Sequence, residues 1–263
     1  MPHVKANDIE IYYELSGPAD APVVMLSNSL GTRLEMWDPQ MAALAGYRVL
    51  RYDSRGHGRS GAPPGPYSIA LLGEDALALL DALGIGQVHF CGLSKGGMVG
   101  QWLGSQHGER LLSLALCATA ARIGSAELWN QRIEQSAREG MAALVDGVTE
   151  RWFTPAYRAT PRPEVEQVRA MILATPAHGY GGCCAAIRDM DQSEAVRAIR
   201  TPTLLIAGAD DPATTLEVMR DLHGRIPGAR LVEIPQAAHL VNIEQPERFN
   251  RTLTEFLDAQ ARD

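Results

Sequence analysis

Two kinds of apolar pattern run along this chain. Near its start, Ile9, Ile11, Tyr13 and Leu15 alternate with polar residues, the period of a half-buried antiparallel strand near the edge of a sheet. Farther on, apolar residues come in short unbroken runs at 22–26, 47–52, 87–91, 112–117, 203–207 and 230–234. Runs of that kind suit parallel strands covered by helices on both faces. Between them lie helical stripes, such as 69–83, where Leu72, Ala76, Leu79, Leu80 and Leu83 share one face. The alternation predicts an α/β fold, a mostly parallel sheet flanked by helices.

The rhythm breaks between about residues 122 and 188. This stretch carries Trp129, Trp152, isolated charges and a Pro-rich run at 154–163, with no convincing strand. Three or four short helices fit it, which predicts a helical cap (122–188) inserted into a core made of 1–121 and 189–263. A chain of 263 residues has room for one large α/β domain with such an insertion. There are no internal repeats or low-complexity tracts.

Composition narrows the function classes. The chain is 46% hydrophobic and 21% charged, with a formal net charge of −7. That is the balance of an ordinary enzyme, and it argues against nucleic acid, since no excess of Lys or Arg is available to displace counterions. A local basic pocket for a small anion is compatible with it. Residues 1–17 show no basic segment followed by an apolar core, so no signal peptide is expected, and no apolar run approaches the ~20 residues of a membrane span. Cys91 and Cys117 fall in apolar strand runs, and with Cys183 and Cys184 they match neither a zinc site nor a secreted disulfide framework. Free thiols in a reducing cytoplasm are the expectation.

The chemistry enters at Gly92-Leu93-Ser94-Lys95-Gly96-Gly97, directly after one apolar run and directly before the helical pattern 98–106. A G-x-S-x-G between strand and helix is the nucleophile elbow, a strained turn that exposes the serine at the carboxyl edge of the sheet. The following helix directs its free amides and positive dipole end at developing negative charge. Ser94 then needs a base. Of seven histidines, His89 lies within a buried run and reads as a hydrogen-bonded core residue. His57 sits in the Gly-rich turn Asp53–Ser60 and reads as structural. His3 is near the terminus, and His107, His178 and His223 lie at helix ends or in the cap. His239, in the loop after the run 230–234, is the candidate base.

In this class of site the acid lies between serine and histidine in the chain. Gly208-Ala209-Asp210-Asp211-Pro212 leaves the carboxyl end of the run 203–207, and its Gly-x-x-Asp pattern favours Asp211. Capping the following helix is the competing use of these aspartates. An oxyanion needs two amides: Lys95, the residue after the nucleophile, and Leu30 in Ser27-Asn28-Ser29-Leu30-Gly31. The Lys95 side chain reads as solvated or on a helix face, since only its amide is required.

These motifs, with Asp53-Ser54-Arg55-Gly56-His57-Gly58 and Ala237-Ala238-His239-Leu240, make the chain resemble the 3-oxoadipate enol-lactonase family of α/β hydrolases, from Ile9 to Phe256. Ser27–Gly31 is the most discriminating segment, because many relatives carry His-Gly at Asn28-Ser29; Thr215 departs from the proline often found there. The resemblance implies opening of the enol-lactone to 3-oxoadipate, a late step in bacterial breakdown of aromatic acids, with no metal or organic cofactor. A carboxylesterase or C–C bond hydrolase would use the same triad, and a small-molecule receptor can share the fold.

The implied substrate is a small anionic lactone, and its carboxylate needs a charge-assisted partner in a partly dry cleft. Trp129-Asn130-Gln131-Arg132 places an indole and a guanidinium on one face of a helix. Arg132 is the expected partner of the carboxylate and Trp129 the pocket wall, with Arg33 as the rival cation.

Overall fold

Eight strands form a single sheet in the order β1-β2-β4-β3-β5-β6-β7-β8. They are β1 (His3–Ala6), β2 (Ile9–Ser16), β3 (Val23–Ser27), β4 (Arg48–Tyr52), β5 (Val88–Leu93), β6 (Leu111–Cys117), β7 (Thr203–Gly208) and β8 (Arg230–Ile234). The computed structural model describes residues 2–260. β1 pairs with β2 and β2 with β4 in antiparallel register; every later pairing is parallel. Every residue of β5 and of β7 is buried, as their unbroken apolar runs require. The alternating strand β2 lies one place in from the edge, because β1 covers it. With one buried residue in four, β1 is too short to show a period.

A parallel sheet delivers its strand ends to one edge, so the loops leaving β3, β5, β7 and β8 gather there. Register decides which loops touch. Ser27 at the end of β3 pairs with Gly92 of β5, and Gly208 at the end of β7 pairs with Ile234 of β8. The first pairing sets Leu30 beside the serine elbow, and the second sets the Asp211 loop beside the His239 loop.

The rest of the core is helical cover. Helix Ile69–Ala82 starts at Ser68, whose hydroxyl accepts the Leu71 amide, and helix Lys95–Gln106 starts immediately after Ser94. Thr215 caps helix Leu216–Arg225 through the Val218 amide, a use of the residue that departs from the family proline.

Residues 122–188 make five helices, not three or four: Ala126–Glu139, Ala142–Trp152, Pro155–Arg158, Pro163–Ala174 and Ala177–Arg188. One of them is a single turn that Thr154 caps and Pro155 opens, inside the Pro-rich run 154–163. Helix Ala177–Arg188 meets the core backbone to backbone. A Cβ on Gly179 would stand 2.3 Å from the Gly56 carbonyl oxygen, and one on Gly56, at φ +78°, 2.8 Å from the Gly179 Cα. No side chain fits between them.

All four cysteines are buried and unbonded; the Sγ atoms of Cys91 and Cys117 lie 3.9 Å apart across β5 and β6. Among the described residues no helix is long and apolar enough to cross a membrane.

Candidate active site

Ser94 occupies φ 56°, ψ −112°, a conformation costly to a residue with a side chain and held only where the surroundings over-determine it. They do so here. The Ser94 amide donates to the Cys117 carbonyl at 2.8 Å, and its own carbonyl accepts the Thr119 hydroxyl at 2.8 Å. The flanking glycines allow the turn to press against its neighbours: a Cβ on Gly92 would stand 2.2 Å from the Gly96 carbonyl oxygen, and one on Gly96 2.1 Å from that of Ser27.

Across the same edge, His239 Nδ1 lies 2.8 Å from Asp211 Oδ2. The other oxygen, Asp211 Oδ1, accepts the Ala213 amide at 2.7 Å and the Thr214 amide at 3.1 Å, so one carboxylate both orients the imidazole and shapes the turn before the helix. Burial alone would raise the Asp211 pKa, but His239 and the Thr214 donors outweigh it and hold the carboxyl below its usual range. Asp210 is exposed. Of the adjacent aspartates, Asp211 is the one in contact with the imidazole.

Ser94 and His239 line one cavity of about 270 Å³, with Leu30, Trp129, Arg132 and Trp152 among its other walls. Trp152 stacks on the His239 ring at 5.9 Å between centroids and 28° between planes. No hydrogen bond joins Ser94 to His239 among the described residues; in sites of this kind the nucleophile–base contact often closes only on substrate. The Leu30 and Lys95 amides have no protein acceptor among the described residues, leaving both free to donate.

A family model described as the alpha/beta hydrolase family matches residues 22–252. 3-oxoadipate enol-lactonase 2 of Acinetobacter baylyi is 40% identical over 94% of this chain and 93% of its own. The crystal structure of the enol-lactonase from Burkholderia xenovorans LB400 superposes with a TM-score of 0.96 at 44% identity, covering 98% of this chain and all of the other. The chain belongs to the 3-oxoadipate enol-lactonase family of α/β hydrolases. A more distant relative of this enol-lactonase-family chain, RutD of Variovorax paradoxus, named for carbamate hydrolysis, is 31% identical over 94% of this chain and 96% of its own.

Two sequence expectations within this α/β hydrolase need correction. The Lys95 side chain is not solvated: it is 1% exposed, and its Nζ has no hydrogen-bond partner among the described residues. Helix Lys95–Gln106 runs under the sheet edge and turns this stem inward, where burial holds the amine below its ordinary pKa. Arg33 is paired with Glu35 at 3.0 Å and does not line the cavity, so it is out of place as the rival cation.

Trp129 and Arg132 do line the cavity, with the guanidinium 4.9 Å over the indole ring. The Trp129 Nε1–H donates to the Ile123 carbonyl at 2.9 Å, fixing the ring. Sequence reasoning missed Arg151 and the use of Trp152. The available signal was the Arg151-Trp152 pair just before Thr154-Pro155, a second guanidinium and indole at a helix end.

His57 is structural, and in a specific way. Its Nε2 accepts the Gly31 amide at 2.8 Å, which fixes the oxyanion-side loop through a neutral ring. Burial, with the nearby Lys95 charge, holds its pKa well below the ordinary value. His89 bonds through Nδ1 to Ser113 Oγ at 2.8 Å within the sheet.

Proposed function

We propose that this protein opens 3-oxoadipate enol-lactone to 3-oxoadipate by acyl transfer through Ser94. The observation that carries the reading is His239, held 2.8 Å from the buried Asp211 and lining one cavity with a serine in a strained elbow. The substrate rests on the enol-lactonase relatives, which are more similar to this chain than the carbamate-hydrolase relative.

In the mechanism His239 takes the Ser94 proton as Oγ attacks the lactone carbonyl carbon. The Leu30 and Lys95 amides hold the oxyanion, a contribution of about 3–4 kcal/mol per donor in comparable sites. Asp211 fixes the imidazole tautomer and stabilises the imidazolium. Collapse breaks the acyl–oxygen bond of the ring, and His239 returns its proton to the departing enol oxygen; the enol then tautomerises to the ketone. Water activated by His239 frees Ser94 as the new carboxylate forms. Arg132 binds the substrate's original carboxylate, and Trp129 forms the adjoining wall.

Loss of the enol-lactone chromophore with purified protein tests the reading. Wild type should turn over, and Ser94→Ala should lose on the order of 10⁴–10⁶ in rate while remaining folded. Near-normal turnover by Ser94→Ala overturns the mechanism. A wild-type protein that cleaves simple esters but spares the enol-lactone overturns the substrate.

A further inference from the structure

The catalytic cavity holds two guanidinium groups and no acid. Arg132, from helix Ala126–Glu139, and Arg151, from the last turn of helix Ala142–Trp152, both line it, and no Asp or Glu is among its walls. Neither arginine has a carboxylate oxygen within 4.0 Å among the described residues. Apart from Ser29, Ser94, Thr214 and His239, the remaining walls are apolar or aromatic, Met98, Leu128, Trp129, Trp152 and Ile187 among them. In a chain of net charge −7, this is a local concentration of positive charge facing the nucleophile.

Such an arrangement is unfavourable when empty. Two cations in a partly dry cavity repel each other more strongly than they would in water, and arginine cannot escape by giving up its proton. The strain is visible at Arg151, where burial and then the charge of Arg132 both depress proton affinity. An anion placed between the two forks removes the repulsion and supplies acceptors for charge-assisted hydrogen bonds.

We propose that Arg151 and Arg132 together form a two-guanidinium clamp for a carboxylate, making Arg151 a specificity-determining residue that selects carboxylate-bearing esters and lactones over neutral ones. This rests on the reading of the Ser94 cavity as the hydrolytic site. It also has a consequence for the product. Ring opening creates a second carboxylate at Ser94, so the released acid is a dicarboxylate with one end in the clamp and the other at the oxyanion donors. Linear dicarboxylates of matching length should therefore bind the free enzyme, and their neutral diesters should not.

Adipate and dimethyl adipate are the probes, titrated calorimetrically into wild type, Arg151→Met and Arg151→Lys. Adipate should bind wild type, weaken tenfold to a hundredfold in Arg151→Met and recover in part in Arg151→Lys, which keeps the charge but loses the fork. In Arg151→Met the kcat/KM ratio of enol-lactone to a neutral lactone of similar size should fall by the same factor. Adipate affinity equal to wild type in Arg151→Met, equal losses for adipate and its diester, or no adipate binding by wild type would each overturn the clamp. Wild type that binds adipate through Arg151 yet leaves the enol-lactone intact upholds the clamp and overturns the lactone reading alone.

Discussion

Lys95 plays two parts separated by a few ångströms. Its amide directly follows Ser94 at the start of the helix, while its side chain runs into the interior and ends in an amine with no partner among the described residues. A buried, unpaired polar group is destabilising by about 1–3 kcal/mol. Lys95→Met, which keeps the stem length and removes the charge, should raise stability by about that much. The sign with pH follows from the depressed folded-state pKa. The wild-type penalty is therefore complete below the depressed folded-state value and fades as pH rises from there toward about 10.4, where the unfolded chain also gives up the proton. The gain from Lys95→Met should shrink accordingly in denaturant midpoints between pH 7 and 10.5. A variant no more stable than wild type at pH 7 would show that the amine has a partner. Nothing in Ser-Lys-Gly-Gly distinguishes an inward from an outward lysine, since the direction of the stem is set by how the helix seats on the sheet.

The elements around His239 are tied to the cap. Glu244, buried, accepts the Thr154 amide at 3.0 Å and the Thr154 hydroxyl from the cap side, and the Ala238 amide at 2.9 Å from the histidine loop. The Leu240 amide donates to the Trp152 carbonyl at 3.1 Å. The end of helix Ala142–Trp152 and the loop bearing His239 are thereby one unit. Glu244→Gln, which replaces an acceptor by an NH₂ facing donors, should destabilise the protein by about 1–3 kcal/mol. It should also lower kcat more than it raises KM, since the imidazole loses its support while the guanidinium clamp remains. Wild-type kcat in a folded Glu244→Gln protein would show that Asp211 alone positions the ring. None of this coupling was legible in the sequence, where Glu244 is one carboxylate among many. The buried strands β5 and β7 were legible because both of their faces are apolar, and Ser94 and Asp211 because each follows such a strand; His239 follows the half-exposed edge strand β8 and was marked by its loop position downstream of the serine. Arg151 was not, because the local Arg151-Trp152 pair does not say which cavity it faces when the wall is assembled from three separate helices.

At the scale of the whole molecule, two neutral imidazoles link stability to acidity. Burial lowers the pKa of His57, with a contribution from Lys95, and burial lowers that of His89. As pH falls, the unfolded chain takes up these protons first, near 6.5. Their contribution to stability is therefore complete above about pH 6.5 and declines as pH drops toward the folded-state values. Two protons set a limiting slope of about 2.7 kcal/mol per pH unit. Asp211, whose carboxyl is held low, adds its loss only in a more acidic range. Urea midpoints should fall between pH 7 and 5, and His89→Gln should flatten that fall by up to half; a pH-independent midpoint over this window would contradict the assignment.

The cap leaves the sheet after β6 and closes on its own point of departure before β7, the Gln192 amide donating to the Ala121 carbonyl at 2.9 Å. Entry and exit are thus one hydrogen bond apart, and closing a long excursion between fixed neighbouring points adds little entropy per added residue. A transplant at this junction could exchange the substrate-reading walls while leaving Ser94, Asp211 and His239 on their original strands. The foreign segment would have to bring its own counterparts of Thr154 for Glu244, of Trp152 for His239, and a glycine where Gly179 meets Gly56. Those three contacts define the smallest docking code by which a new specificity could be seated on this core.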